Sequence, residues 1–275
     1  MSTLHLTHLG GPTVLAEVDG VRLLTDPTFD PPGRRYSFGW GTSSTKLRGP
    51  ASTPDDLGRV DAVLLTHDHH ADNLDDRGRE LLEHVPTVVT TVAGAARLGG
   101  SAVGLRPWER TTLPVATSSG GTLEVTATPC RHGPPLSRPI AGPVVGFAVA
   151  VGDGPALWVS GDTVLFRGVR QVAERIDVDV AVLHLGAVRF PLTGGLRYSM
   201  TLDDAFELCT LFQPRVAVPV HFDGWSHFSE GPDEVRRRLH TRTGRSSARF
   251  RLLEPGVVTD LSPVTPGLGA DLDAS

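Results

Sequence analysis

Short runs of Val, Leu and Thr recur along the chain, and most of them are bounded by Gly, Pro or Asp. Runs of this length and composition, closed by turn residues, are typical of β-strands. Nine segments are predicted as strands: TVLAEV (13–18), VRLLTD (21–26), DAVLLT (61–66), TVVTT (87–91), TLEVTATP (122–129), VVGFAVAV (144–151), ALWVSGD (156–162), VAVLHLG (180–186) and VAVPVHF (216–222).

Apolar residues at helical spacing lie between several of these strands. The clearest segment is TLDDAFELCTLF (201–212), in which Thr201 is placed as an N-cap and acidic residues occupy the first turn. Four other segments have weaker helical patterns: 75–85, 92–99, 166–176 and 232–244. Because strands dominate the first part and alternate with helices later, we predict a layered α/β domain rather than an all-β barrel.

The chain shows no linker that would divide it, and we predict a single domain over residues 1–275. Residues 30–56 are rich in Gly, Pro and Ser and have no periodicity, which indicates an ordered excursion over a site or a flexible lid. Residues 264–275 are expected to form a flexible tail.

Composition adds limits on function. With 39% hydrophobic and 21% charged residues, the 275-residue chain is typical of a soluble globular protein. A net charge of −5 gives no reason to expect nucleic acid as an obligate partner, so a small-molecule substrate is favoured. No apolar run is long enough to span a membrane, and the first residues lack a signal-peptide pattern. We therefore expect a cytoplasmic protein, and the oligomeric state stays open.

The segment THDHHADN (66–73) holds three histidines and two aspartates directly after a predicted strand. His67 and His69 are separated by one residue, and the alternation of a strand would send both side chains the same way. Two imidazoles that converge in this manner form half of a tetrahedral metal site. A solvated polar loop is the alternative interpretation of this segment alone.

Three further polar residues stand where an apolar run ends. They are His132 in TPCRHG, Asp162 in VSGDT and His221 in PVHFDG. Together they supply what a hydrolytic metal centre lacks after one histidine pair: a third nitrogen, a carboxylate able to bridge two ions, and a nitrogen for a second ion.

The ordered set LLTHDHHADNLDD, TPCRH, SGDT and PVHF resembles the metallo-β-lactamase superfamily. LTDPTF and the preceding HLGGPTVLAEVDG are similar to the branch that includes the L-ascorbate-6-phosphate lactonases and the N-acyl-phosphatidylethanolamine-hydrolysing phospholipases D. The resemblance covers roughly residues 4 to 224. It implies a four-layer αββα sandwich in which loops at the strand ends supply metal ligands along one edge of the two sheets.

The same resemblance implies roles for individual residues. His67, His69 and His132 match the histidines of the first metal site, Asp162 matches the bridging aspartate, and His221 matches the last histidine of the second site. Asp26 stands where an aspartate usually supports a ligand histidine by accepting its other N–H group.

The motif departs from the family pattern HxHxDH. An ungapped match places Ala71 on the aspartate and Asp72 on the final histidine. With one inserted residue, Asp72 becomes the aspartate and Asn73 replaces the histidine; we prefer this alignment because NLD then matches HLD. Asp72 is a candidate ligand in both. An Asn amide oxygen is a poorer zinc donor than imidazole, so the number of bound ions is left at one or two.

Four other residues are assigned to the surroundings of the site. Asp68 points away from the metal or acts near the reacting centre as an acid or base. His70 is expected to face solvent or to contact a ligand, and His184 to line the pocket or to lie in the core. Trp225, in HFDGWSHF with His227, is predicted in a wall of the substrate pocket or in an ordinary aromatic cluster.

The sequence therefore predicts a metal-dependent hydrolase that cleaves a lactone, ester or phosphodiester of a small molecule. The expected cofactor is Zn²⁺, with Mn²⁺ or Fe²⁺ as alternatives. Asp162 would hold the ion or bridge a pair, and Asp72 or Asp68 would orient the nucleophile or relay a proton. Two other hypotheses are a nuclease or phosphodiesterase of the same fold, and a non-catalytic member with a degenerate second metal site.

Overall fold

The computed structural model describes residues 3–151, 156–242 and 249–263. The strands are β1 (Leu4–Gly10), β2 (Thr13–Val18), β3 (Val21–Thr25), β4 (Arg35–Gly39), β5 (Thr42–Thr45), β6 (Ala62–Leu64), β7 (Val88–Thr91), β8 (Ala102–Leu105), β9 (Arg110–Ala116), β10 (Thr122–Pro129), β11 (Val145–Val151), β12 (Ala156–Val159), β13 (Val178–His184), β14 (Val216–Val220) and β15 (Thr259–Asp260). The α-helices are α1 (Asp76–Leu82), α2 (Val92–Leu98), α3 (Arg138–Ala141), α4 (Arg167–Arg175), α5 (Leu202–Phe212) and α6 (Pro232–Thr241).

Two mixed sheets form the centre of the fold. The first has seven strands in the order β15-β1-β2-β3-β6-β7-β8, and the second has six in the order β14-β13-β12-β11-β10-β9. Strands β4 and β5 pair only with each other, as a separate hairpin. Within each sheet, the strands that lead to helices pair in parallel, and the consecutive strands of the meanders pair antiparallel.

Alternating side chains of the strands build the layers. In β13, Val180 and Val182 belong to the apolar cluster between the two sheets, whereas Ala181 and Leu183 belong to the cluster on the outer face. Both faces of this strand are buried, which explains its continuous apolar sequence.

Helices cover the outer face of each sheet. Residues of α4, α5 and α6 pack in the cluster on the second sheet, and residues of α1 pack in the cluster on the first. The order of layers is therefore helix, sheet, sheet, helix, and the predicted four-layer αββα sandwich is confirmed.

All nine predicted strand segments contain a strand, and all five predicted helical segments contain a helix. The prediction missed β1, β8, β9, β15 and the short helix α3. It also missed the hairpin of β4 and β5, which lies inside the aperiodic stretch 30–56. Residues 243–244, at the end of the last predicted helical segment, and the predicted tail 264–275 lie outside the described residues. Within the described ranges, no helix combines the length and apolar character that a membrane crossing requires.

The start of α5 is fixed by a capping box at Thr201, the residue that the sequence predicts as the N-cap. The Thr201 hydroxyl accepts a hydrogen bond from the backbone N–H of Asp204, and the Asp204 carboxylate accepts one from the backbone N–H of Thr201. Both bonds satisfy N–H groups that have no partner within the helix.

Replacing Thr201 with alanine is expected to lower the free energy of unfolding by about 1 kcal/mol, because the N–H of Asp204 loses its acceptor. Urea unfolding measures the change. Thr210→Ala in the same helix is the control, since the Thr210 hydroxyl bonds only a carbonyl one turn earlier. An equal loss in both variants would contradict the capping role.

Candidate metal centre

The ligand candidates come from loops that follow strands at one edge of the sandwich. His67 lies three residues after β6, His132 three after β10, Asp162 three after β12, and His221 directly after β14. The carboxyl ends of these strands deliver the four side chains to one place. The backbone N–H of His221 donates to the carbonyl of Gly11, which fixes the last of these loops against the β1–β2 turn.

The first ligand group consists of His67, His70 and His132. One nitrogen from each ring lies within 4.8 Å of the other two, and all three residues are buried. The distance from His67 Nε2 to His70 Nδ1 is 3.3 Å. His132 donates its Nδ1–H to the carbonyl of Tyr198 at 2.6 Å, so Nε2 keeps a free lone pair.

His69 does not join this group, although the sequence predicted it there. Its Nε2 donates to the carbonyl of Ala141. The prediction assumed that the strand continues through His69, whereas β6 ends at Leu64 and the chain then bends. The ring of His69 still lies near His67, with centroids 4.9 Å apart, but its Nε2 is turned to the Ala141 carbonyl, and His70 supplies the third nitrogen of the group.

The second ligand group consists of Asp72, His221 and His227, whose ligand atoms also lie within 4.8 Å of one another. Asp72 Oδ2 is 3.5 Å from His221 Nε2 and 3.2 Å from His227 Nε2. The sequence placed His227 only in the wall of a pocket. The signal that could have found it is a second imidazole six residues after His221 in the same loop.

Asp162 lies between the two groups. Its Oδ1 accepts a hydrogen bond from His221 Nδ1 at 2.8 Å, and its Oδ2 is 4.0 Å from His132 Nε2. One carboxylate thus faces ligands of both groups, which is the position that a bridging aspartate would take.

Asp26 supports the first group through a threonine. The buried Asp26 carboxylate accepts bonds from the backbone N–H and the hydroxyl of Thr66, and the Thr66 oxygen is 3.0 Å from His67 Nδ1. Because the Thr66 hydroxyl donates to Asp26, its oxygen accepts a hydrogen bond from the Nδ1–H of His67. The other ring nitrogen, Nε2, is then unprotonated and free to bind a metal. Burial raises the pKa of Asp26, opposed by the bond from His184.

His184 and Asn73 lie on the same carboxylate. His184 is fully buried, and its Nε2 is 3.2 Å from Asp26 Oδ2. The Asn73 amide nitrogen is 3.4 Å from the same oxygen. Neither residue belongs to a ligand group in the described part of the chain. Both therefore hold the support behind the centre in place.

Asp68 is turned toward Arg97 and lies outside both groups. Its two carboxylate oxygens accept hydrogen bonds from Arg97 Nε at 2.7 Å and from a terminal nitrogen of Arg97 at 2.5 Å. Burial would raise the pKa of Asp68, but the guanidinium of Arg97 outweighs this and lowers it. A carboxylate held in this way is a poor general base.

The electrostatics at His67 and His70 favour neutral imidazoles. Burial, followed by neighbouring histidines, lowers the pKa of His67 well below its usual value and that of His70 to about 3. A neutral imidazole is the form that binds a metal. Protons therefore do not compete with a cation for these nitrogens at neutral pH.

The second group has the opposite character. Burial would raise the pKa of Asp72 and of Asp162, but the adjacent histidines hold both well below the usual range. Burial would lower the pKa of His221, but Asp162 and Asp72 raise it to about 10 in the absence of a cation. The buried carboxylates of Asp72 and Asp162 are thus stabilised by a nearby positive charge, which a proton on His221 or a metal ion can supply.

The buried side-chain atoms of this region that have no hydrogen-bond partner among the described residues include His69 Nδ1, Asn73 Oδ1, His227 Nδ1 and four candidate ligand atoms: Asp72 Oδ1, Asp162 Oδ2, His221 Nε2 and His227 Nε2. Leaving one such atom unsatisfied costs about 1–3 kcal/mol, and more when it is charged. Bound cations would satisfy all four, so the residues present fit a metal centre.

A small cavity of about 50 Å³ opens onto the centre. His70, Asp72 and His132 line it together with Phe38, Phe190 and Tyr198. Phe38 belongs to the hairpin of β4 and β5, so part of the predicted excursion does lie over the site. Trp225 does not line this cavity; it packs under the hairpin, with ring centroids 5.2 Å from Tyr36 and 6.2 Å from Phe38.

Comparison with known proteins agrees with this geometry. Residues 21–222 match the family described as the beta-lactamase superfamily domain. A "UPF0173 metal-dependent hydrolase" of Opitutus terrae is 30% identical over 261 residues, which cover 92% of this chain and 98% of the relative. Another of the same description, from Pyrobaculum arsenaticum, is 27% identical and covers 92% of this chain and 97% of the relative.

A solved structure has the same fold. The isothiocyanate hydrolase from Delia radicum gut bacteria superposes with a TM-score of 0.76 at 20% identity, covering 94% of this chain and 99% of the other. The family match and the metal-dependent hydrolases among its relatives identify the chain as a metal-dependent hydrolase, as predicted from the sequence. The chain belongs to the beta-lactamase superfamily.

Proposed function

We propose that this hydrolase holds two cations and cleaves a lactone, ester or phosphodiester of a small molecule. The observation that carries the proposal is the pair of buried ligand groups, each of three residues, with Asp162 between them. Zn²⁺ is the proposed ion because imidazoles outnumber carboxylates in the set, while Mn²⁺ and Fe²⁺ accept similar ligands. The resemblance of LTDPTF to lactonases and phospholipases favours these bond types.

The second ion would be held without Asn73. The sequence left this ion in doubt because Asn73 stands in place of a histidine. His227 supplies an imidazole nitrogen to the second group instead, 3.2 Å from Asp72 Oδ2. His227 comes from a different loop than Asn73. The segment around Asn73 therefore lacks the family's histidine, but the second group still contains two imidazoles, those of His221 and His227.

The chain's own residues would position the reactants. When bound, the cations supply Lewis acidity and lower the pKa of water from 15.7 toward about 7. Asp72 reaches both the cavity and the second group, so its carboxylate is placed to orient an attacking water by accepting a hydrogen bond from it. Asp68, bound to Arg97, is not placed for this step.

The cavity limits what the substrate carries next to the scissile bond. Phe38, Phe190, Val188 and Tyr198 make most of its wall apolar. Its small volume, about 50 Å³, admits only a compact group. We therefore propose an apolar substituent of a few atoms on the group that enters above the ligands.

Metal analysis of the purified full chain tests the proposal. We expect about two equivalents of Zn²⁺, Mn²⁺ or Fe²⁺ per chain. A chelator should abolish turnover of a panel of lactones, esters and phosphodiesters, and the metal should restore it. His227→Ala is expected to retain one equivalent, whereas the control His240→Ala, on helix α6, keeps two. A chain with no stoichiometric metal would contradict the proposal, and so would a His227→Ala variant that keeps two equivalents of metal.

A further inference from the structure

A second, larger cleft adjoins the centre on the other side of His132. Its volume is about 800 Å³, within the range of about 300–1,000 Å³ that is usual for ligand sites. His132 lines both this cleft and the small cavity above the ligands. The cleft therefore lies next to the centre and shares one wall with the small cavity.

Three arginines line this cleft, namely Arg106, Arg131 and Arg138, and no Asp or Glu lines it among the described residues. Arg131 and Arg138 form no ion pair within the described ranges, whereas Arg106 has an exposed partner in Glu109 at 3.2 Å. The cleft is thus a positively charged pocket in a chain of net charge −5, so the charge is concentrated rather than general.

Arg131 is the best placed of the three. It directly precedes His132, and its guanidinium stacks on the ring of Phe166 at 4.6 Å, which fixes the plane of the group. Its Nε is buried and has no hydrogen-bond partner in the described part of the chain. A buried N–H donor of a charged group without an acceptor is costly, and a bound oxyanion would supply the acceptor.

We propose that this arginine cleft, lined by Arg106, Arg131 and Arg138, binds an oxyanion group of the substrate, a carboxylate or a phosphate. The substrate would then carry this anion at one end and the scissile bond, with its compact apolar substituent, at the other. The position of the scissile bond rests on the proposed hydrolytic function, whereas the anion site does not. Planar guanidinium groups suit both oxyanions, because each offers paired N–H donors.

Matched ligands test the anion site without any need for turnover. Calorimetry on the metal-loaded full chain at low ionic strength compares 4-phenylbutyrate, 3-phenylpropyl phosphate and the neutral 4-phenylbutyramide. We expect an anion to bind about tenfold more tightly than the amide, equivalent to 1.4 kcal/mol. The anion whose affinity falls further in the arginine variants identifies the oxyanion that the cleft is built for.

The variant Arg106→Gln/Arg138→Gln should remove most of this preference and leave the metal content unchanged. Arg131→Lys, which keeps the charge but loses the fork of donors, should lose about threefold or more. Arg236→Gln, an exposed arginine on helix α6, is the control and should keep the preference.

Two results would overturn the inference: no preference for either anion in the wild type, or a preference that persists in the double variant, which would assign the anion to the metal. Absence of metal or of turnover would count against the proposed function alone.

Discussion

Replacing Asp162 with asparagine is expected to lower hydrolysis at least about a hundredfold, the size of effect seen when a charge-stabilising group is removed from an active site. The substitution removes one negative charge between the two ligand groups, but the amide oxygen can still accept the hydrogen bond from His221 Nδ1. We therefore expect a folded protein with less bound metal. Metal content by elemental analysis and turnover of the best panel substrate measure both effects.

Asp68→Asn is the matched control, because it makes the same Asp-to-Asn change in segment 66–73, four residues before the candidate ligand Asp72. Its carboxylate contacts Arg97, not a ligand group. We expect full metal content and an activity loss about ten times smaller than that of Asp162→Asn. The reverse order of the two losses would show that Asp68 is the acid or base of the reaction.

Asp75→Ala is expected to lower the free energy of unfolding by about 3–5 kcal/mol, because it leaves a buried lysine charge without its partner. Lys46 is 3% exposed, and its Nζ lies 2.8 Å from Asp75 Oδ2. The same carboxylate accepts bonds from the backbone N–H groups of Phe29, Asp30 and Gly78, the last of which lies in the first turn of helix α1. Chemical denaturation, followed by circular dichroism, measures the loss.

Asp76→Ala gives the comparison one residue further along. Its partner, Arg34, and Asp76 itself are more than half exposed, and exposed pairs contribute about 0–1 kcal/mol. In the Asp75 case, adding Lys46→Met should recover part of the loss, because no charge then stays buried alone. A loss at Asp75 no larger than at Asp76 would contradict the role of the buried pair.

The fold was largely predictable because its strands are buried and short. Segment TLEVTATP corresponds to β10 residue for residue, and TVLAEV to β2. Strands with less apolar sequence, such as the hairpin RYSFG and TSST, were missed because their outer residues are exposed and their pattern resembles a loop. What stabilises that hairpin is contact with Trp225, which lies far along the chain.

The site was predictable only in part. His67, His132, Asp162 and His221 stand at strand ends in the sequence, and the structure brings them together. The choice between His69 and His70 depended on the residue at which β6 ends, and strand ends are the least determined part of a sequence pattern.

His227 shows the second limit. The second imidazole in HFDGWSHF marks His227 as a candidate, but the segment by itself does not separate a ligand from a pocket residue. Only the approach of the 66–73 loop, which brings Asp72 Oδ2 to 3.2 Å from His227 Nε2, gives this imidazole a role. The arginine cleft is a similar case, since its three guanidinium groups come from the β8–β9 turn and the segment after β10.

The sequence by itself determined the layers of the fold and the superfamily, because hydrophobic periodicity and the order of the motifs are local properties of the chain. The tertiary structure alone decided that His70 of THDHHADN joins His67 in the first group and that His227 joins Asp72 and His221 in the second. It alone also decided that three arginines gather in the cleft beside the centre. Those features depend on distances between loops that are remote in sequence, and local periodicity carries no information about such distances.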